Sequence, residues 1–177
     1  ESEGRDRKNT DLPLDQKDLL KKIYDVNKNI VLILINGSTI SLPWANEHIP
    51  AIIEAWYPGQ SGGKAIAEVL FGDYNPGGKL PMTFYNGIND LPPFDDYDVR
   101  NGRTYMYFEG EPLYPFGYGL SYTNFKIKNV RLNDTNFSRS DTLQITFNIT
   151  NTGLRYGSEV PQLYIEENGI KKLKAFK

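Results

Sequence analysis

The chain has no cysteine and a single histidine, His48, among its 177 residues. The absence of cysteine excludes disulfide bonds and thiol chemistry, and it says little about the compartment. A lone histidine supports neither a metal site nor a serine–histidine pair, so we expect His48 to face solvent or pack in the core. No apolar run approaches the roughly 20 residues of a membrane span. The net charge of -2 gives no reason to expect nucleic acid or an anionic membrane as a partner.

Two loops resemble ligand-binding loops, but their spacing excludes both functions. In residues 72–79 the lysine follows a second glycine at the wrong distance for a phosphate loop, and Leu80 stands where serine or threonine would bind magnesium. Residues 95–98 lack the glycine and the distant glutamate of a calcium loop. We therefore expect no cofactor and no metal.

An uninterrupted apolar run, residues 30–35, is the strongest structural signal in the chain. A mostly β-branched run of this kind is typical of a strand covered on both faces, as in a parallel sheet. Residues 13–26 before it have a helical apolar stripe, with Pro13 in the first turn and Asp11 as the expected cap.

The next segments complete the pattern of an α/β domain. Residues 51–56 are interpreted as a short helix or a buried segment, 62–71 as a helix with Gly72 at its C-terminal cap, and 80–84 as a strand. In the turn 59–63 we expect glycines where a side chain would be obstructed. The order predicts a mostly parallel sheet with helices on both faces, a partial α/β sandwich.

Residues 85–103 are rich in Asn, Asp, Pro and Gly and predict a long loop. Such a loop is either functional, for example a lid, or a linker, and the residues leave both interpretations open. Residues 104–108 are interpreted as a strand and 115–120 as a compact turn that closes the domain.

From residue 124 the pattern becomes all-β. Apolar residues alternate in opposite phases within 125–132, which predicts a bulge, and residues 143–150 and 160–165 are interpreted as two further strands. An immunoglobulin-like sandwich needs about seven strands, so a truncated sandwich is expected. The chain begins without methionine and stops within a pattern, and we interpret it as a fragment.

The first seven residues alternate acidic side chains with glycine and arginine. They are interpretable as a solvated terminal segment. They are equally interpretable as a loop whose carboxylate, held by arginine, serves as a general acid. Their spacing alone does not decide between the two.

These residues, with Leu12, Pro13 and Gln16 after them, look like the acid/base loop and following helix of glycoside hydrolase family 3. Other segments resemble hallmarks of the same family along essentially the whole chain: 55–63, 65–81, 114–122, 151–153, 159–160 and 162–164. The resemblance implies that residues 1–123 are the C-terminal part of an α/β-sandwich domain. Residues 124–177 would open a fibronectin-III-like domain.

The resemblance also implies an activity: an exo-acting, retaining β-glycosidase, such as a β-glucosidase or β-xylosidase, whose partner is an oligosaccharide or β-glycoside. The family's nucleophile is an aspartate on a preceding TIM-barrel domain, which this chain does not include. The family's acid/base glutamate corresponds to Glu3, with Glu1 as the second choice. Asp6 and Arg7 match an Asp-Arg pair and are expected to fix the loop.

Aromatic side chains supply the remaining candidate site residues. Trp44 and Tyr57 are expected to contact sugar, whereas Trp56 is expected to pack in the core. A rival interpretation is a non-catalytic carbohydrate-binding or structural module that keeps the same scaffold. A secreted or periplasmic location is favoured over a cytoplasmic one.

Overall fold

The structure, a computed structural model, describes residues 7–138 and 140–177. Its helices are α1 (Leu14–Val26), α2 (Pro43–His48), α3 (Gly62–Phe71) and α4 (Thr104–Tyr107). Its strands are β1 (Val31–Leu34), β2 (Ala51–Glu54), β3 (Phe125–Leu132), β4 (Ile145–Asn151), β5 (Gln162–Glu167) and β6 (Ile170–Phe176). None of the helices described is long and apolar enough to cross a membrane.

Strands β1 and β2 pair in parallel, with Val31 opposite Ala51 and Leu34 opposite Glu54. The parallel arrangement predicted for 30–35 is therefore confirmed for this pair. Among the described residues, however, the sheet has two strands, and the pairs β3–β4 and β5–β6 are antiparallel. The prediction of a mostly parallel sheet is thus confirmed only in part. Ile35 is 61% exposed, so the apolar run is not covered along its whole length.

A core cluster of buried side chains lies between α1, β1 and α2. Apolar side chains from the two helices, the strand, the turn after it and the residue after α2 meet there: Leu20, Leu34, Ile40, Leu42, Ala45 and Ile49. Burial of these side chains stabilises the fold. It also fixes the turn that follows β1, because Ile40 belongs to that turn.

Two predicted helices are confirmed, with one difference at a cap. Helix α1 begins after Pro13, and no side chain caps it; Asp11 instead pairs with Ser41 through a backbone bridge. Helix α3 ends at Gly72, which has the left-handed φ of 81° that favours glycine. In the turn 59–63 the expected obstruction is confirmed only at Gly62, where a methyl group would lie 2.5 Å from Cγ of Pro58; at Gly59 and Gly63 it would meet nothing within 4 Å.

The helical interpretation of residues 51–56 is wrong, because residues 51–54 form β2. The β-branched pair Ile52 and Ile53 faces Leu32 and Ile33 across the parallel ladder, and this pairing outweighs any helical tendency. Helix α2 was not predicted. It has a proline at its first position, where the missing N–H costs nothing.

Two predicted strands are also wrong. In residues 80–84 only Phe84 forms a bridge, with Tyr114, and Pro81 has no N–H to continue a ladder. Residues 104–107 form α4 instead of a strand. There the ring of Tyr105 stacks on Phe116 at a centroid distance of 4.4 Å, so packing overrides the β-propensity of the tyrosines.

The long loop 85–103 has one 3₁₀ turn, Ile88–Asp90, and otherwise no regular helix or strand. Arg103 braces it, since its guanidinium donates to the carbonyl oxygens of Pro93 at 2.7 Å and Asp96 at 3.0 Å. The side chain of Arg100 holds the pKa of Asp98 down at about 2. The loop is therefore an ordered segment with its own internal contacts.

The all-β part follows the prediction closely. The pairing of β3 with β4 shifts register between Lys128 and Arg131, at the predicted bulge. Strands β4 and β5 begin two residues later than predicted, and β6 was not predicted. The division at residues 123 and 124 stays a prediction.

Polar contacts hold the all-β part against the α/β part. Lys79 Nζ lies 2.9 Å from Glu159 Oε1 and donates to the carbonyl oxygen of Gly119 at 2.9 Å. Asn75 Nδ2 donates to the carbonyl oxygen of Tyr156 at 2.7 Å. Only 15% of the Lys79 side chain and 22% of the Glu159 side chain are exposed, so this ion pair is largely shielded from solvent.

We expect Lys79→Met to lower the free energy of unfolding by about 1–3 kcal/mol, because the Glu159 carboxylate would stay largely buried without its partner. Urea denaturation at pH 7 measures this. The double variant Lys79→Met, Glu159→Gln is the control and should recover part of the loss. Equal stability of wild type and Lys79→Met would contradict the role of this pair.

The pair should also depend on pH. Burial raises the pKa of Glu159, but hydrogen bonds from Lys79 and from the Val160 N–H outweigh it and hold the pKa below its ordinary value of 4.5. A lowered pKa stabilises the fold above the unfolded-state value and ceases to do so as pH falls through the folded-state value. The stability difference between wild type and Lys79→Met should therefore shrink as the pH is taken below 4.5.

Candidate functional site

The candidate site lies where β1 and β2 end. The carboxyl ends of parallel strands share one edge, and ligands of α/β proteins bind outside that edge. Two segments leave it: the turn 35–42 after β1 and the turn 55–61 after β2. The first leads into α2 and the second into α3, so both turns are held at each end by regular structure.

Arg7 attaches the start of the described chain to the first turn. Its Nη2 donates to Ser38 Oγ and to the carbonyl oxygen of Thr39, both at 2.7 Å. Further along, the Ser41 N–H donates to the carbonyl oxygen of Thr10 at 2.7 Å, and the Thr10 and Ser41 hydroxyls lie 2.6 Å apart. Hydrogen bonds therefore join residues 7–11 to residues 38–41.

The predicted acid/base residues precede Arg7 in the sequence. Glu3, the second choice Glu1, and Asp6 are outside the described residues, and their roles stay predictions. Arg7 is predicted to fix the loop, and the two hydrogen bonds it donates are of the kind that such a role needs.

A carboxylate at the end of β2 links the two turns. Glu54 Oε1 accepts from the Trp56 N–H at 3.0 Å, and its Oε2 accepts from Asn36 Nδ2 at 3.3 Å. Burial raises the pKa of Glu54, against the lowering effect of those two hydrogen bonds. Sequence reasoning gave Glu54 no role, because the segment 51–56 was interpreted as a helix or buried stretch. The sequence signal that could have found Glu54 is an acidic residue at the end of a segment with β-branched residues.

Tyr57 is the exposed aromatic side chain at this edge. It is 66% exposed, and its ring lies so close to Gly37 that a methyl group there would be 2.7 Å from Cε2 of Tyr57. Trp56 beside it has a left-handed φ of 52°. Its side chain is half-buried, and its ring meets Phe84 edge-on at 6.2 Å.

The ring of Trp44, the other candidate for sugar contact, packs against other rings of the protein. Its ring stacks on His48 at 4.6 Å and meets Tyr24 edge-on at 5.5 Å. His48 Nδ1 donates to the carbonyl oxygen of Trp44 at 2.8 Å, so the single histidine has a packing role at the end of α2. Of the two aromatic candidates, Tyr57 is the one with a ring open to solvent.

Comparison with known proteins assigns the chain to a protein family. A profile of the glycosyl hydrolase family 3 C-terminal domain matches residues 1–122. This chain belongs to glycoside hydrolase family 3. The match spans α1 to α4 and therefore includes the whole edge formed by β1, β2 and their turns.

Two curated glycosidases are similar to this chain along nearly all of its length. A xylan 1,4-β-xylosidase of Xylanibacter ruminicola is 44% identical over an alignment of 178 positions, which covers 98% of this chain and 20% of that protein. A periplasmic β-glucosidase of Salmonella typhimurium is 38% identical over an alignment of 192 positions, which covers 98% of this chain and 25% of that protein. The chain thus spans a fifth to a quarter of the length of these curated relatives.

Solved structures of β-glucosidases also superpose on nearly the whole chain. A β-glucosidase of Erythrobacter marinus superposes with a TM-score of 0.82 at 36% identity, over 99% of this chain and 24% of that one. A family 3 β-glucosidase of Bifidobacterium adolescentis gives 0.85 at 36% identity, over 99% and 28%. Both superpositions extend through the all-β part, beyond the residues that the family profile matches.

Proposed function

We propose that this chain is part of an exo-acting, retaining β-glycosidase. The enzyme would remove terminal, non-reducing β-D-glucosyl or β-D-xylosyl residues from oligosaccharides and glycosides. The observation that carries the proposal is the attachment of Arg7 to Ser38 and Thr39. It holds Arg7 against the turn after β1, at the carboxyl edge of the parallel pair, in a family whose relatives are named β-xylosidase and β-glucosidase.

In this proposal Glu3 is the acid/base residue. It protonates the departing glycosidic oxygen, then removes a proton from the water that attacks the glycosyl-enzyme. The nucleophile is an aspartate of a TIM-barrel domain outside this chain. Retaining enzymes hold the two carboxyl groups about 5–5.5 Å apart. The chain by itself would therefore be inactive.

The other site residues support Glu3. Arg7 and Asp6 fix the loop, and Arg7 does so by its bonds to the turn after β1. Tyr57 offers the exposed ring that suits stacking on a sugar face. Trp44 is less suited to such a contact, because its ring already packs on His48.

The test is hydrolysis by the full-length protein. We expect it to cleave p-nitrophenyl β-D-glucoside or p-nitrophenyl β-D-xyloside, and proton NMR during the first turnovers should show the β-anomer of the sugar before mutarotation. A catalytically inactive protein that still binds cellobiose or xylobiose would favour a non-catalytic binding module instead. The α-anomer as first product would contradict the retaining mechanism.

A further inference from the structure

We propose that Glu54 is a positioning residue for the loop that carries Glu3, acting through Asn36 and the turn after β1. This inference rests on the proposed function above. Glu54 closes β2, and its two carboxylate oxygens accept hydrogen bonds from two different places. One donor is the backbone N–H of Trp56 in its own turn; the other is the side chain of Asn36 in the neighbouring turn.

Asn36 passes this constraint to its own turn. It is only 7% exposed, and its Nδ2 donates both to Glu54 and to the carbonyl oxygen of Ser38, the latter at 2.6 Å. Its buried Oδ1 has no hydrogen-bond partner within residues 7–138 and 140–177. The orientation of the amide therefore depends on the two bonds that Nδ2 donates, and Glu54 accepts one of them.

The turn after β1 then holds Arg7. Ser38 Oγ and the Thr39 carbonyl oxygen accept the two bonds from the guanidinium, and Arg7 follows Glu3 by four positions. A path of hydrogen bonds thus runs from Glu54 through Asn36 and Ser38 to Arg7. A displacement of about 1 Å at a reacting group is enough to cost about 100-fold in rate, so a shift of this turn would be felt in catalysis.

A carboxylate is needed at position 54 because both partners are donors. Glutamine has one oxygen, so Glu54→Gln would keep only one bond and would point an amide N–H₂ group at the other donor. Trp56 lies only two positions after Glu54 in the chain, whereas Asn36 belongs to the neighbouring turn. The hydrogen bond that Glu54→Gln is expected to lose is therefore the one from Asn36. Glu54→Gln therefore perturbs the path to Arg7 with little change in volume.

The experiment compares two substrates in the full-length enzyme. Glu54→Gln should lower kcat/KM on cellobiose or xylobiose by about 10- to 100-fold. On a 2,4-dinitrophenyl glycoside it should change kcat/KM by less than about threefold, because kcat/KM reports formation of the glycosyl-enzyme and that leaving group needs no proton. Glu68→Gln is the matched control, since Glu68 lies partly exposed on α3 and pairs with Lys64. It should behave as wild type on both substrates.

A double-mutant cycle separates positioning from stability. If Glu54 acts through Glu3, then Glu54→Gln should cause no further loss in the Glu3→Ala background. Equal losses on both substrates, an additive cycle, or behaviour like Glu68→Gln would each overturn the inference while leaving the proposed function intact. If Glu54→Gln does not fold, Glu54→Asp, whose carboxylate reaches one methylene less far, is held to the same three criteria.

Failure of the proposed function looks different. In that case Glu3→Ala itself shows no dependence on the leaving group, and the role proposed for Glu54 is rejected with it. Both results come from the same set of assays, so the two failures are distinguishable.

Discussion

Glu3→Ala in the full-length enzyme should lower kcat on a natural disaccharide by about 10²- to 10⁴-fold, the usual contribution of a general acid. The glycosidic oxygen of a disaccharide is a poor leaving group and must be protonated as it departs. A 2,4-dinitrophenyl glycoside needs no such proton, so formation of its glycosyl-enzyme should be nearly unaffected. Steady-state and pre-steady-state kinetics on the two substrates measure the contrast.

Glu1→Ala is the matched control, because both carboxylates belong to the same short segment. We expect it to stay within a few fold of wild type on both substrates. If Glu1→Ala instead gives the loss on the disaccharide while Glu3→Ala does not, the acid/base role belongs to Glu1. If neither variant changes the rate, the segment is structural and the acid lies elsewhere in the enzyme.

Gly77→Ala should destabilise the contact between the two parts of the chain by about 1–3 kcal/mol, as overpacking typically does. A methyl group on Gly77 would lie 2.6 Å from Ser158 Oγ and 2.8 Å from the Ser158 backbone oxygen. The backbone oxygen cannot rotate away, so the segment that carries Ser158 must move. Urea denaturation and limited proteolysis between residues 119 and 125 should both show the loosening.

The adjacent glycine provides the control for this prediction. A methyl group on Gly78 would meet nothing within 4 Å, so Gly78→Ala should change stability by less than about 0.5 kcal/mol. If the two variants are equally stable, the close approach of Gly77 to Ser158 has no energetic weight.

Elements with a strong local signal were predictable from the sequence. Helix α3 has an apolar stripe and a glycine that needs a left-handed φ at its end, and the bulge in β3 follows from a change in the phase of alternation. Residues 51–54 and 104–107 were misassigned, because long-range contacts decide them. The parallel partner of 51–54 lies twenty positions away, and Tyr105 finds Phe116 by packing.

The site shows the same division. Glu3 was reached through the resemblance to family 3, since a short charged segment has no conformational signature of its own. Arg7 was assigned to the loop in the same way, but its acceptors, Ser38 and Thr39, emerge only from the fold. The hydrogen bond between Glu54 and Asn36 could not be predicted from the sequence, because such a prediction requires knowing that β1 and β2 are neighbours.

The most direct test of the central claim, that Glu3 is the acid/base residue of a retaining β-glycosidase, is the product that Glu3→Ala forms with azide. Azide needs no general base, so it should attack the glycosyl-enzyme formed from a 2,4-dinitrophenyl β-glycoside. We expect rate rescue and a β-glycosyl azide, identified by the anomeric coupling in its proton NMR spectrum. An α-glycosyl azide from this variant, or no rescue of a slowed reaction, would show that Glu3 does not have this role.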